Sequence, residues 1–134
     1  MVKFDIKDLN IWFGSVHALK QVSMGIEANE ILSVIGPSNS GKTTFLRALN
    51  RLGDLNQNIK MTGIIKLEQE NIKNIDTELL RKKVGMVFAL PLPLPLSIFD
   101  NVAYGVRMHG TKNKKILRTI VEGSLKEAYL WEEV

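Results

Sequence analysis

The chain has 134 residues, a length suited to one domain of about 100–200 residues. Its 45% hydrophobic and 24% charged residues exclude a disordered tail, a coiled coil and a collagen-like fibre. With no Cys there is no disulfide framework, thiolate nucleophile or zinc ribbon, two histidines are too few for a histidine-rich metal site, and a net charge of +4 is too mild to signal a nucleic-acid partner.

Much of the positive excess lies at Arg107, Lys112, Lys114, Lys115 and Arg118, which reads as a solvated helix face. Lys3, Asp5, Lys7 and Asp8 interrupt the start, so no secretory signal is expected. The longest uncharged stretch, Val84 to Phe99, is shorter than the ~20 apolar residues of a membrane helix and is broken by Pro91, Pro93 and Pro95. A soluble chain is expected, one able to dock on a membrane partner.

Val2 to Ile6 alternates apolar and polar residues, the period of a half-buried strand. Leu9 to Phe13 is apolar, Gly14-Ser15 signals a turn, and Val16 to Leu19 and Val22 to Ile26 are further short strands. Ile31 to Ile35 is almost wholly apolar, as in a strand buried on both faces. A glycine-bearing loop opens at Gly36. Phe45, Leu46, Ala48, Leu49 and Leu52 then recur at helical spacing, with Gly53 as the expected C-cap.

Gly63 to Leu67 reads as a strand, Asp76 as the cap of a short helix through Arg81, and Val84 to Phe88 as another buried strand. Pro91 to Leu96 alternates Pro and Leu and is expected to be extended. Ser97, with Asp100 three residues on, predicts a helix start, and Gly110 its end. A last helix is expected from Asn113 to the terminus. This pattern divides the chain into a mixed α/β core at 1–90 and a proline-rich loop with a partial helical subdomain at 91–134.

The chemistry lies in Gly36-Pro37-Ser38-Asn39-Ser40-Gly41-Lys42-Thr43, which fits G-x-x-x-x-G-K-[ST], the P-loop. A polyphosphate needs many hydrogen-bond donors at close range, and a loop of this kind turns its main-chain N–H groups inward. Glycines remove the Cβ atoms that would obstruct the approach. Lys42 is expected on the β- and γ-phosphates and Thr43 on Mg²⁺, a hard cation that prefers oxygen. The helix that follows aims its positive end at the same place. An apolar strand before the loop and an amphipathic helix after it supply the right context.

Together with that loop, several stretches resemble the N-terminal half of an ATP-binding-cassette (ABC) transporter ATPase. They are His17-Ala18-Leu19-Lys20, Phe45 to Arg51 with Asp54-Leu55, Arg81 to Phe88 (RKKVGMVF), and Pro91 to Gly110. The likeness covers essentially the whole chain. Leu49-Asn50-Arg51 and Asp100 to Gly105 resemble most the ATP-binding subunits of bacterial phosphate importers. The resemblance implies an α/β fold, a truncated P-loop NTPase core of the ABC ATPase type with N-terminal antiparallel strands and part of a helical subdomain. It implies ATP and Mg²⁺ as cofactors, held by Phe13 stacked on adenine, by Gly36, Pro37, Ser38, Asn39, Ser40, Gly41, Lys42, Thr43 and Thr44, and by Thr43 at the metal. Trp12 is the neighbour that could replace Phe13. Membrane-spanning permease subunits, met through the 89–99 loop, and a second ATPase are the implied partners. The cytoplasmic face of the cell membrane is the implied location, and energising phosphate uptake the implied role.

The pattern also breaks. Ala89 stands where the family has a Gln, Asn39 and Gln69 where it favours Gly, and Leu90, Leu92 and Leu94 where it is more polar or aromatic. No L-S-G-G-Q signature and no apolar strand ending in Asp-Glu occur among the 134 residues. Ala128 to Glu133 imitates such a strand, but the spacing of Leu125, Ala128 and Tyr129 favours a helix. Mg-ATP binding without hydrolysis by the chain alone is therefore expected. So is exposure of apolar sheet beside the P-loop strand. A working ATPase completed by another chain, a small unrelated P-loop kinase or NTPase, and an inactive remnant are the alternatives.

Overall fold

The computed structural model describes all residues, 1–134. Strand β1 (Val2–Phe13) and strand β2 (Val16–Glu27) form one long hairpin rather than the four short strands expected. The reason is local. Where β1 falters, at Lys7-Asp8, Asp8 takes φ 48° and the pairing shifts register as a bulge, so the strand bends without ending. Gly14, at φ 55°, closes the hairpin.

Strand β3 (Ile59–Leu67) pairs with the other edge of β1, and the short β4 (Glu70–Asn71) with β3. The sheet order is β2-β1-β3-β4, with every neighbour antiparallel. Ile6, Leu9, Ile11, Ile65 and Leu67 bury one face of it. Phe45, Ala48 and Leu49 of helix α1 (Lys42–Leu49) and Leu80 of helix α2 (Thr77–Lys83) complete this core.

Two expected strands do not form. Ile31 to Ile35 is unpaired, with Ile31 95% and Ile35 92% exposed. Val84 to Phe88 is likewise irregular, with Val87 97% exposed. A strand buried on both faces needs hydrogen-bonded neighbours, and no strand lies beside either segment. What is exposed next to the loop is therefore unpaired apolar chain and not the apolar sheet expected beside a P-loop strand.

Helix α1 also ends earlier than its apolar spacing suggests. It stops at Leu49, with Asn50 as C-cap and Arg51 left-handed at φ 56°, while Gly53 falls in a 3₁₀ turn at Leu52–Leu55. A polar network explains the stop. Asn50 is buried, and its carbonyl accepts from Arg81. The Arg51 guanidinium donates to the carbonyls of Ile72 and Ile75, and Arg81 donates to that of Arg51 (3.0 Å). The helix end is thereby tied to the segment entering α2, where Asp76 accepts from the amides of Glu78 and Leu79 as its sequence predicts.

The β3–β4 turn carries a stability prediction. Glu68 and Gln69 both have positive φ, 51° and 74°, the pattern of a type I′ turn that favours Gly in its second position. A left-handed non-glycine residue costs ~1–2 kcal/mol, and glycine gives back ~0.5–1 kcal/mol in chain entropy. Gln69→Gly should therefore raise the unfolding free energy by about 0.5–1 kcal/mol, read as a later denaturant midpoint. Glu68 is left in place because its carboxylate pairs with Lys3 and Lys83.

Chain contacts divide the molecule into two units, Met1–Val87 and Phe88–Val134. In the second, helix α3 (Ile98–Met108) packs on helix α4 (Lys114–Glu127) through Ala103, Leu117, Val121 and Leu125. The proline segment is exposed and without regular structure, and it bends at Pro95-Leu96. Asn101 holds its end by donating to the carbonyls of Leu94, Leu96 and Ser97. Helix α4 stops at Glu127, short of the terminus, because Tyr129 turns left-handed at φ 59°. Trp131–Glu133 is a 3₁₀ turn, so Ala128 to Glu133 is neither a strand nor a continuing helix.

The start of α3 is reciprocal. The Ser97 hydroxyl accepts from the Asp100 amide at 3.0 Å and donates to its carboxylate at 2.7 Å. The Ser97 hydroxyl, then Arg107, hold the Asp100 carboxyl below the ordinary aspartate value. A lowered folded-state value means the contribution to stability is complete above the ordinary value and is lost as pH falls through the lowered one. Acid should thus weaken the first turn of α3, and Asp100→Asn should flatten that dependence in circular-dichroism melts.

Candidate nucleotide-binding site

The loop from Gly36 leads into α1 with an open helix start. Gly41 is the N-cap at φ 89°, without a side-chain cap and with no acidic residue in the first turn. The first helical bond runs from the Phe45 amide to the Gly41 carbonyl at 2.8 Å. The amides of Gly41, Lys42, Thr43 and Thr44 are therefore the four that an α-helix leaves without internal partners. Their dipoles add to the positive end of α1, a setting that favours an anion.

The loop is tightly packed at its two glycines. A Cβ at Gly41 would lie 2.6 Å from Leu19 Cδ2 and 3.0 Å from the Ala18 carbonyl, and one at Gly36 2.9 Å from Ser40 Oγ. Asn39 sits at φ 63°. Asn tolerates this region better than most non-glycine residues, so the loop keeps its course despite lacking a glycine there.

Lys42 folds back across the loop. Its ammonium donates to the carbonyls of Gly36 (2.9 Å) and Pro37 (2.6 Å) and to Ser40 Oγ (3.3 Å). Three donors meet three loop oxygens. The longest of these bonds, to Ser40, is the one most easily exchanged for a phosphate oxygen.

Phe13, at the end of β1, and Ala18, on β2, face the same place. With Asn39 to Thr44 they line a depression of ≈ 260 Å³. Gly36 and Pro37 instead line a neighbouring groove with Leu19, Leu32, Val34 and Phe45. Ser38 belongs to the loop but lines neither hollow. Trp12, the possible substitute for Phe13, is occupied elsewhere. Its ring stacks on His17 at 4.3 Å, with the Lys60 ammonium 5.6 Å from its centre. Ala18 is the lining residue that sequence reasoning missed. Its signal was present in the His17-Ala18-Leu19-Lys20 match, and Ala18 lies on β2 two residues beyond Val16, the partner of Phe13.

The donor set fits a triphosphate with a shared cation. No group of three or more His, Cys, Asp or Glu side chains could hold a metal alone. Thr43, a hydroxyl-bearing residue, is among those that line the depression. Mg²⁺ keeps several waters and commonly takes one or two protein oxygens together with substrate phosphates, a demand that one threonine and a bound nucleotide can meet.

This glycine-bearing loop opening a helix beside a β-hairpin defines a P-loop nucleotide-binding protein, and residues 19–130 match the ABC transporter family, to which the chain belongs. The chain is 50% identical, over 99% of its length, to the phosphate import ATP-binding protein PstB of Bacteroides fragilis, in each of two strains. It spans about half of these relatives, 53% of their length. Membership implies nucleotide binding. No helix is long and apolar enough to cross a membrane.

Proposed function

We propose that the chain is the ATP-binding portion of an ABC-type phosphate import ATPase and that it binds Mg²⁺–ATP. The observation that carries this reading is the convergence of Phe13 and Asn39 to Thr44 on one depression. Phe13 stacks on the adenine, a contact worth ~1–3 kcal/mol for a base on an aromatic ring. The amides of Gly41 to Thr44 take the phosphate oxygens, Lys42 neutralises their charge, and Thr43 offers its hydroxyl to Mg²⁺. Phosphate as the cargo rests on the names of the relatives.

In this reading the protein works at the cytoplasmic face of the cell membrane, on permease subunits met through residues 89–99. That segment carries exposed Leu90, Leu92 and Leu94, suited to an apolar partner surface. Ala89 carries no side-chain amide to hydrogen-bond where the family has a Gln. A second ATPase supplies the signature that these 134 residues lack. Phosphoryl transfer depends on positioning and charge stabilisation from several elements, so the chain alone binds nucleotide and does not turn it over.

Calorimetric titration with Mg²⁺–ATP tests this. Saturable one-site binding with no phosphate release is expected. A folded sample that binds no nucleotide would overturn the nucleotide-binding reading, and steady hydrolysis by the purified chain would overturn the inactive one.

A further inference from the structure

The second unit holds a cleft of ≈ 620 Å³ that the nucleotide site does not use. Its floor is hydrocarbon: Leu117 and Val121 of α4 are buried there, beside Phe99 and Trp131. Its rim is cationic, formed by Arg107, Lys114, Lys115 and Arg118. The ion pairs of this unit join Arg107 to Asp100 and Lys126 to Glu122, which leaves Lys114, Lys115 and Arg118 without carboxylate partners.

On α4 the cations gather at the start of the helix, ahead of its carboxylates Glu122 and Glu127, while Glu132 and Glu133 follow Trp131. Helix α4 opens with Lys114 and Lys115 and has no acidic residue in its first turn. Cations there face the positive end of the helix dipole, an unfavourable placement that an external anion relieves. Lys126 also lies 5.4 Å above the Trp131 ring, so cationic and aromatic groups meet at the cleft's edge.

Cations at the mouth and hydrocarbon behind are the order in which a phospholipid presents its phosphate and its acyl chain. The cleft volume suits one small ligand. Its walls are helices whose main-chain groups are internally bonded, with no strand edge to hold an extended peptide. Trp beside Lys and Arg is also the composition of protein surfaces that sit at the membrane interface. We infer that the cleft between α3, α4 and the Trp131 turn is a docking site for an anionic phospholipid of the bilayer surface.

The test uses the whole chain carrying Trp12→Phe, so that Trp131 is the reporting indole. Vesicles of phosphatidylcholine alone are compared with vesicles of phosphatidylcholine and phosphatidylglycerol. Saturable binding to the anionic vesicles, with a blue shift of Trp131 emission, is the expected result. Lys114→Glu with Lys115→Glu and Arg118→Glu should lower that affinity on the order of a hundredfold, from the usual contribution of each basic residue at an anionic surface. Reversing Lys20, Lys73 and Lys82 in the first unit should leave it nearly unchanged. If the triple variant does not fold, Lys114→Gln with Lys115→Gln gives a smaller loss in the same direction. Equal binding to neutral vesicles, an equal loss in the control reversal, or an unshifted Trp131 would overturn the inference. So would full competition by inorganic phosphate, or tighter binding of a soluble acidic peptide than of the vesicles.

Discussion

Lys42→Ala is expected to weaken Mg²⁺–ATP binding by roughly ten- to a hundredfold, the equivalent of the ~1.5–3 kcal/mol carried by a hydrogen bond to a charged group. The ammonium already lies over the loop, against the Gly36 and Pro37 carbonyls. A phosphate bound there would meet a positioned cation and would not have to recruit one from solvent. Lys42→Arg separates charge from shape. Its planar fork keeps the charge but does not reproduce three donors aimed at two carbonyls and a hydroxyl, so it should recover only part of the affinity. Lys42 lies outside the apolar core, and the thermal midpoint of Lys42→Ala without nucleotide should stay close to that of the parent. An unchanged affinity in a folded Lys42→Ala sample would remove the phosphate site from this loop.

Gly63→Ala should be the most destabilising of the small substitutions, at about 2–6 kcal/mol, combining a strained backbone and an overpacked contact at ~1–3 kcal/mol each. Gly63 has φ 94°, and an added Cβ would run into the main chain of Lys7 and Asp8 on the neighbouring strand. That contact sits at the register shift between Lys7 and Asn10, where β1 and β3 bend together. Backbone cannot step aside as a flexible side chain can, so the strand pairing itself must move. Gly123→Ala is the control, since Gly123 lies within α4 with nothing near its added methyl. Alanine there should stabilise by about 0.5–1 kcal/mol. Denaturant midpoints shifting in opposite directions would support the assignment; a near-neutral Gly63→Ala would show that the bulge tolerates a side chain.

The loop and its helix were legible because they depend on neighbours in sequence. Gly36, Gly41, Lys42 and Thr43 stand at spacings that only a few backbone paths satisfy, and Phe45, Ala48 and Leu49 mark the buried side of α1. The caps at Asp76, Ser97 and Asn113 are equally local, each side chain bonding an amide two or three residues on. Phe13 was named from a resemblance, and its position beside the loop depends on the hairpin that carries it.

Less legible were the segments whose state depends on partners. Ile31 to Ile35 and Val84 to Phe88 have the composition of buried strands, yet stay unpaired and exposed. Apolar composition states a preference for burial, but burial needs another surface. The end of α1 was misread for a related reason. Leu52 continues the apolar spacing, but Arg51 and Arg81 spend their hydrogen bonds on carbonyls more than twenty residues away and fix the stop at Asn50.

By itself, the amino-acid sequence determined the P-loop motif, the helix behind it, the helix caps and the lack of any cysteine or clustered histidine chemistry, because these follow from short-range spacing and composition. The tertiary structure alone decided that Phe13 and Ala18 share a hollow with Asn39 to Thr44, that Trp12 is taken up by His17, and that four cations rim the hydrocarbon cleft of the second unit. Those outcomes depend on strand register and on which helix faces meet, and register is set by contacts between residues far apart in the chain.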